Sequence, residues 1–176
     1  MKISLNWISD FVDLSGVSAE KVSDLLSLHT AEVEGIEIYG DGIKDVVVGH
    51  VIACGQHPDA DKLSLTEVDF GGEETVAVVC GAPNVRKGLK IAFAPVGSRL
   101  PGDLKIKKAK LRGQVSCGMI CSERELEMSE EHDGIMELPD DAPIGAVLID
   151  YLQLKDSILE LDNKSLTHRP DLWGTM

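Results

Sequence analysis

At 176 residues and 43% hydrophobic side chains, the chain has enough apolar material for one full domain and part of a second. Its longest apolar runs, such as Val46–Val48 and Ile91–Ala94, are far too short to span a bilayer, and no basic region leads into an apolar stretch at the start, so a membrane span and a secretory leader are not expected and a cytoplasmic protein is. A formal charge of −13 weighs against contact with a polyanion unless the charge is unevenly distributed.

The first forty residues read as α+β. A short strand is predicted at Lys2–Leu5, a short helix at Trp7–Val12 and a longer helix at Ala19–His29. Ser18 supplies an N-cap oxygen for the free amides of its first turn, and Val22, Leu25, Leu26 and His29 share one face. Ala31–Tyr39 then alternates, Val33 against Glu34 and Ile36 against Glu37, as a half-buried strand does.

From Gly40 the pattern changes to short strands separated by Gly, Pro and Asp, the signature of a small barrel or sandwich. Strands are predicted at Val46–Cys54, Leu63–Asp69, Thr75–Cys80, Lys90–Ala94, Leu104–Lys110 and Cys117–Cys121, with turns at Gly71–Gly72, Pro83–Asn84, Pro101–Gly102 and Arg112–Gly113. Ser122 is placed as the cap of a short helix over Glu123–Met128, whose early acids suit the positive end of its dipole. Ser129–Asp141 reads as an acidic loop with little structure of its own. The chain is then expected to return to the first domain through Ala146–Tyr151 and a strand at Ile158–Leu161. A helix could begin near Asp171–Trp173.

Nine of the 17 Lys and Arg residues fall between Arg86 and Arg112: Arg86, Lys87, Lys90, Arg99, Lys105, Lys107, Lys108, Lys110 and Arg112, with Asp103 the one acid among them. A basic window in an acidic chain suits a single oriented contact with a polyanion; a solvated face or a lysine-protected sheet edge is the plainer alternative. Lysines at Lys105, Lys107, Lys108 and Lys110 would put charge on both faces of one strand, so one subset at most faces a given RNA. Phe70 and Phe93 are the aromatics that accompany them, too few for base stacking, which favours recognition of shape and backbone.

Other chemistry finds less support. Asp59 and Asp61 stand at the entry to a strand beside His57–Pro58, where turn and cap roles outweigh catalysis, and no nucleophile accompanies the histidine. Cys54, Cys80, Cys117 and Cys121 read as reduced thiols, with disulfides and zinc as lesser alternatives. Cys117 and Cys121, four apart on a strand, would stand about 13 Å from each other at roughly 3.3 Å per residue, too far to share one ion. There is no phosphate-binding glycine loop and no nucleophile elbow, so no ATP site and no complete catalytic constellation is expected within the chain.

The segments HPDADKLSLTEVDFGGEE, VVCGAPNVRKG and LRGQVSCGMICSEREL, in that order over residues 57 to 125, resemble the tRNA-binding OB-fold module found in the β chain of bacterial phenylalanine–tRNA ligase and in several small tRNA-binding proteins. The start MKISLNWISDFVDLSG and the end LELDNKSLTHRPDLWG look like the two sides of the domain into which that β chain inserts the module. The resemblance implies a mainly β fold with α+β flanks: an OB-fold barrel over residues 40–151, inserted in a small, incomplete α+β domain formed by residues 1–39 and 152–176. It places Asn84, Ser116, Met119, Ser122 and Glu125 around the binding face, which with the nine basic residues forms the expected tRNA site; Met119 as core and Ser116 and Ser122 as turn and cap residues remain open alternatives. It also implies an (αβ)2 assembly with an α chain that uses ATP and magnesium, an editing domain elsewhere in the β chain, and tRNA-Phe, not DNA, as the nucleic acid. Where that family carries Asn-Arg-Pro-Asp, this chain reads Thr167–Asp171 with Asn163 displaced upstream. Because such β chains continue for several hundred residues, a fragment is expected, with a free-standing tRNA-binding protein as the alternative.

Overall fold

The computed structural model describes residues 1–130 and 133–162, which fall into two compact units. The expectations for Asn163, Thr167–Asp171 and Trp173 lie outside the described residues. In chain order the elements are β1 (Lys2–Ser4), α1 (Leu5–Ser9), α2 (Ala19–His29), β2 (Val33–Tyr39), β3 (Val47–His57), β4 (Ala60–Asp69), β5 (Val76–Cys80), β6 (Lys90–Pro95), β7 (Arg99–Leu100), β8 (Leu104–Lys105), β9 (Ala109–Leu111), β10 (Gln114–Ser116), β11 (Gly118–Ile120), β12 (Glu137–Leu138), α3 (Leu148–Tyr151) and β13 (Asp156–Leu161).

The first unit joins Met1–Asp41 to the described residues from Leu154 onward. Its antiparallel sheet has the order β1-β13-β2, and the register sets Ile3, Leu159 and Ile36 side by side on one face. That face packs with Leu5 and Leu161 against Ile8, Val22 and Leu26 of the two helices. The helix expected at Trp7 starts two residues earlier, because the Ser4 side chain accepts the Trp7 amide at 3.0 Å and so ends the strand and caps the helix at once. Ser18 caps α2 by accepting the Lys21 amide at 3.3 Å. The strand expected from Ala31 begins at Val33, since Ala31 still donates to the Leu26 carbonyl at the helix end.

The second unit, Gly42–Gln153, is a nearly closed five-strand antiparallel barrel of OB type, with strand order β11-β6-β3-β4-β5. Val51, Val68, Val78, Ile91, Phe93 and Ile120 fill it, and Phe70 leans on Phe93 with ring centroids 5.3 Å apart. Closure comes from the segment between β10 and β11. The Cys117 amide donates to the Ala77 carbonyl at 2.8 Å, while the buried Ser116 hydroxyl accepts the Val79 amide at 3.1 Å and donates to the Gly118 carbonyl at 3.1 Å. One backbone bond and one hydroxyl therefore stand in for a longer strand-to-strand ladder at the seam. Gly118 sits at φ 144° with its α-carbon facing the Phe93 ring, where a β-carbon would fall 2.4 Å from Phe93 Cζ.

Several sequence expectations shift in this unit. β3 and β4 run on to a tight turn at Pro58–Asp59, through residues that read as a loop, and the turn is held by His57 Nδ1 accepting the Asp59 amide at 3.0 Å, not by an aspartate cap. The strand expected over Leu104–Lys110 divides into β8 and β9, and that over Cys117–Cys121 gives β11 alone. Glu123–Met128 forms hydrogen-bonded turns in place of a helix, with Glu127 at φ 53° preventing continuation. The acidic stretch contains β12, which pairs with β6. Ala146–Tyr151 stays with the barrel: the Val48 and Leu148 amides donate to the Ala146 and Val46 carbonyls, each at 2.8 Å, and the chain enters the first unit only at Leu154. Among the described residues no helix is long and apolar enough to cross a membrane.

Two stability predictions follow from the packing. Gly118→Ala combines a backbone region unfavourable to other residues with a collision against Phe93, and should cost about 3 kcal/mol or more in urea unfolding. Gly55→Ala, with nothing within 4 Å, should shift stability by less than about 0.5 kcal/mol. The four cysteines are free thiols, and burial pushes Cys121 up to about 12. Its thiolate is therefore scarce at neutral pH, and alkylation at pH 8 should modify Cys121 only after denaturant is added, as peptide mapping would read.

Candidate nucleic-acid interface

The basic window folds into two successive hairpins. β7 pairs with β8 around Pro101–Gly102–Asp103, in which Gly102 and Asp103 have φ of 70° and 58°, and Arg99 reaches Asp103 at 2.9 Å. Ile106 then pins the chain to the barrel. Its side chain is buried, its amide donates to the Ser98 carbonyl at 2.9 Å, and its carbonyl accepts the Gly97 amide at 2.9 Å. This anchor is why one predicted strand becomes two: a single apolar residue among lysines is drawn inward and the charged residues on either side are turned out.

Beyond Lys107 and Lys108 the second hairpin, β9 with β10, turns at Arg112 and Gly113, both at positive φ of 48° and 89°, as a two-residue type I′ turn requires. Every residue of β9 is exposed. Strand alternation separates its faces: Ala109 and Leu111 line a groove beside the hairpin, and Lys110 lies on the opposite face. None of Lys105, Lys107, Lys108, Lys110 and Arg112 forms an ion pair with an acidic side chain among the described residues.

The groove itself has a volume of about 510 Å³ and opens between the residues after β5, the basic hairpins, β11 and the turn at Gly134. Its lining includes the apolar side chains of Ala82, Pro83, Met119 and Ile135 and the cationic Lys105 and Lys107. Ser122 and Glu125 close one end. Glu125 Oε2 accepts both the Ser122 amide, at 2.7 Å, and the Ser122 hydroxyl, at 2.9 Å, which fixes the carboxylate in place. The lining joins two lysines and two carboxylates, Glu125 and Asp133, to apolar side chains, so phosphate can be met at the lysines and apolar sugar surface at the rest.

The expected site residues divide into three groups. Lys105, Lys107, Ser116, Met119 and Ser122 line the groove together with Glu125. Met119 is half-buried, with one side in the barrel wall, and Ser116 is buried, its hydroxyl engaged at the seam. Lys108, Lys110 and Arg112 share the hairpin region but not the lining; Lys87 is exposed before Gly88, Lys90 is half-buried at the start of β6, and Arg99 is paired with Asp103.

Asn84 and Arg86 form the third group, directed at the chain itself. Asn84 Oδ1 accepts the Ile135 amide at 2.9 Å, and its Nδ2 donates to the Ile135 carbonyl at 3.0 Å and to Glu137 at 3.1 Å. Arg86 donates to both carboxylate oxygens of Glu137, each at 2.9 Å. These bonds hold Glu137 below the usual carboxylate range, so the pair is intact at neutral pH and is lost only as pH falls through that lowered value.

Sequence reasoning missed Ala82 and Pro83 and the wall formed by Asp133, Gly134 and Ile135. Ile135–Met136 and Leu138, apolar residues in an acidic stretch, were the available signal, and Ile135 and Leu138 are buried. Among the described residues no three His, Cys, Asp or Glu side chains are grouped to hold a metal ion.

The family described as "Putative tRNA binding domain" matches residues 46–147, the span that contains the barrel strands, both basic hairpins and the groove. The phenylalanine–tRNA ligase β subunit of Oleidesulfovibrio alaskensis is 54% identical over 161 residues, covering 92% of this chain and 20% of that protein. The β subunit of Pectobacterium atrosepticum is 52% identical with the same coverage. A solved MetRS related protein from Pyrococcus horikoshii aligns over 62% of this chain and 87% of its own, at 24% identity and a TM-score of 0.42, too low to carry weight. The chain thus spans about a fifth of the length of the curated relatives it matches. It belongs to the tRNA-binding domain family and is homologous, at about 50% identity, to the N-terminal fifth of bacterial phenylalanine–tRNA ligase β subunits.

Proposed function

We propose that this chain is the tRNA-contacting and assembly segment of a phenylalanine–tRNA ligase β subunit, which supports attachment of phenylalanine to tRNA-Phe by a cytoplasmic (αβ)2 enzyme. The observation that carries the reading is the pair of lysine-bearing hairpins, free of ion-pair partners at Lys105, Lys107, Lys108, Lys110 and Arg112 among the described residues, beside an open groove within the family-matched span. Identity to the β subunits over 92% of the chain reaches beyond that span and favours the synthetase subunit over a free-standing RNA-binding module. On this reading residues 40–151 are a module inserted between residues 1–39 and 152–176, and the α chain brings ATP and magnesium. The described side chains do not fit a metal centre, and no chemical step is assigned to them.

Lys105 and Lys107 take phosphates at the groove, and Lys87, Lys90, Lys108, Lys110 and Arg112 add charge around it. The aromatic residues of the family-matched span are Phe70 and Phe93, and these rings are occupied with each other, so no aromatic platform is offered to a base. Contact therefore runs through phosphate, sugar and shape.

Fluorescence anisotropy of labelled tRNA-Phe over a salt series tests this. Wild type should bind with a salt-dependent affinity. Replacing Lys105 and Lys107 by alanine should remove roughly 0.7 to 0.9 from the logarithmic salt slope per lost contact, with a larger loss of affinity than replacing Lys108 and Lys110. Absence of binding by the wild-type chain would overturn the RNA reading and leave the barrel as a scaffold within the assembly.

A further inference from the structure

We infer that Asn84 and Arg86, although one is a strong donor and the other a cation at the edge of a nucleic-acid groove, are positioning residues that clamp the groove's 133–137 wall and do not themselves contact RNA. The inference rests on the proposed RNA reading of that groove and refines which of its residues touch the ligand.

The wall is tied to the barrel just after Ile135, where the Met136 amide donates to the Cys121 carbonyl at 2.9 Å and β12 pairs with β6, while Gly134 and Ile135 themselves precede that strand. At Ile135 the carboxamide of Asn84 takes both backbone groups, amide at 2.9 Å and carbonyl at 3.0 Å, as a paired strand would. The approach is close enough to demand glycine at 134, where a β-carbon would stand 2.5 Å from Asn84 Oδ1. Both hydrogen-bonding ends of the carboxamide are thereby engaged, the Nδ2 also reaching Glu137 at 3.1 Å.

Arg86 completes the clamp from the next turn of the loop. Its guanidinium forks onto both oxygens of Glu137 at 2.9 Å and donates to the Asn84 carbonyl at 3.2 Å. A phosphate would meet a guanidinium whose charge is already offset by a bidentate carboxylate, while Lys105 and Lys107 stand at the groove with no such ion pair among the described residues. Ile135, buried beneath the clamp, carries the position of this wall into the groove lining.

The test compares tRNA-Phe binding across a salt series with native-state amide exchange, on the full chain. Arg86→Glu should weaken binding about tenfold through like-charge repulsion of Glu137, and the exchanged pair Arg86→Glu with Glu137→Arg should recover affinity to within about threefold. Arg86→Ala should weaken binding with the salt slope unchanged, in contrast to the loss of roughly 0.7 to 0.9 expected for a phosphate contact. In the absence of RNA, Asn84→Ala should raise exchange at the Ile135 amide at least tenfold while barrel amides such as Val79 keep their protection. Failure of the exchanged pair to recover, a reduced salt slope in Arg86→Ala, or unchanged Ile135 exchange in Asn84→Ala each overturns the clamp. If wild type binds no tRNA, the RNA reading falls by itself, and Ile135 exchange still decides whether the clamp exists.

Discussion

The Ser116 hydroxyl holds the structure's least redundant position. An antiparallel sheet rolled into a barrel must find partners for its two outer strands, and here β5 and β11 are too short and too divergent for a full ladder. One amide, Cys117 to Ala77, and one side chain, Ser116 to Val79, bridge the gap, and Gly118 lets the backbone lie against Phe93 so that the bridge can reach. The basic hairpin and the groove both adjoin this seam. β10 leads into it from the basic hairpin, and Met119 follows it into the groove lining, so the same few residues that close the barrel also set the distance between the cationic ribbon and the groove.

Charge is organised by the same economy. A single buried isoleucine, Ile106, divides the lysine-rich window and ties it to the barrel by two backbone bonds, leaving the lysines to extend from short hairpins with no acidic ion-pair partner among the described residues. Of the nearby acids, Glu137 and Asp103 are paired with Arg86 and Arg99, and Glu125 and Asp133 line the groove. An overall charge of −13 is thereby compatible with a locally basic surface, and it makes unoriented association with a polyanion unfavourable.

Much of this was legible along the chain. Ser18 and its helix, the alternating strands of the barrel and the Arg112–Gly113 turn follow from contacts within a few residues, which local pattern records well. The less legible parts share a different cause. The division of Leu104–Lys110 depended on Ile106 finding Ser98, and the ordering of the acidic stretch depended on Asn84, 51 residues away, reaching Ile135. Asn84 and Ser116 are expected in the binding site from the resemblance and Arg86 from the basic window; the structure adds hydrogen bonds from each to distant parts of the fold, which no local pattern announces.

The sequence by itself determined the family, through the resemblance of its ordered segments, and the barrel class, the helix caps and the location of the basic window, because turn spacing, capping and composition are properties of neighbouring residues. Only the tertiary structure decided which cations are free and which are paired, which face of the ribbon adjoins the groove, and that an asparagine supports a wall. Those outcomes depend on side chains brought together from distant positions, where a hydrogen bond of about 3 Å either exists or does not, and no local pattern encodes that choice.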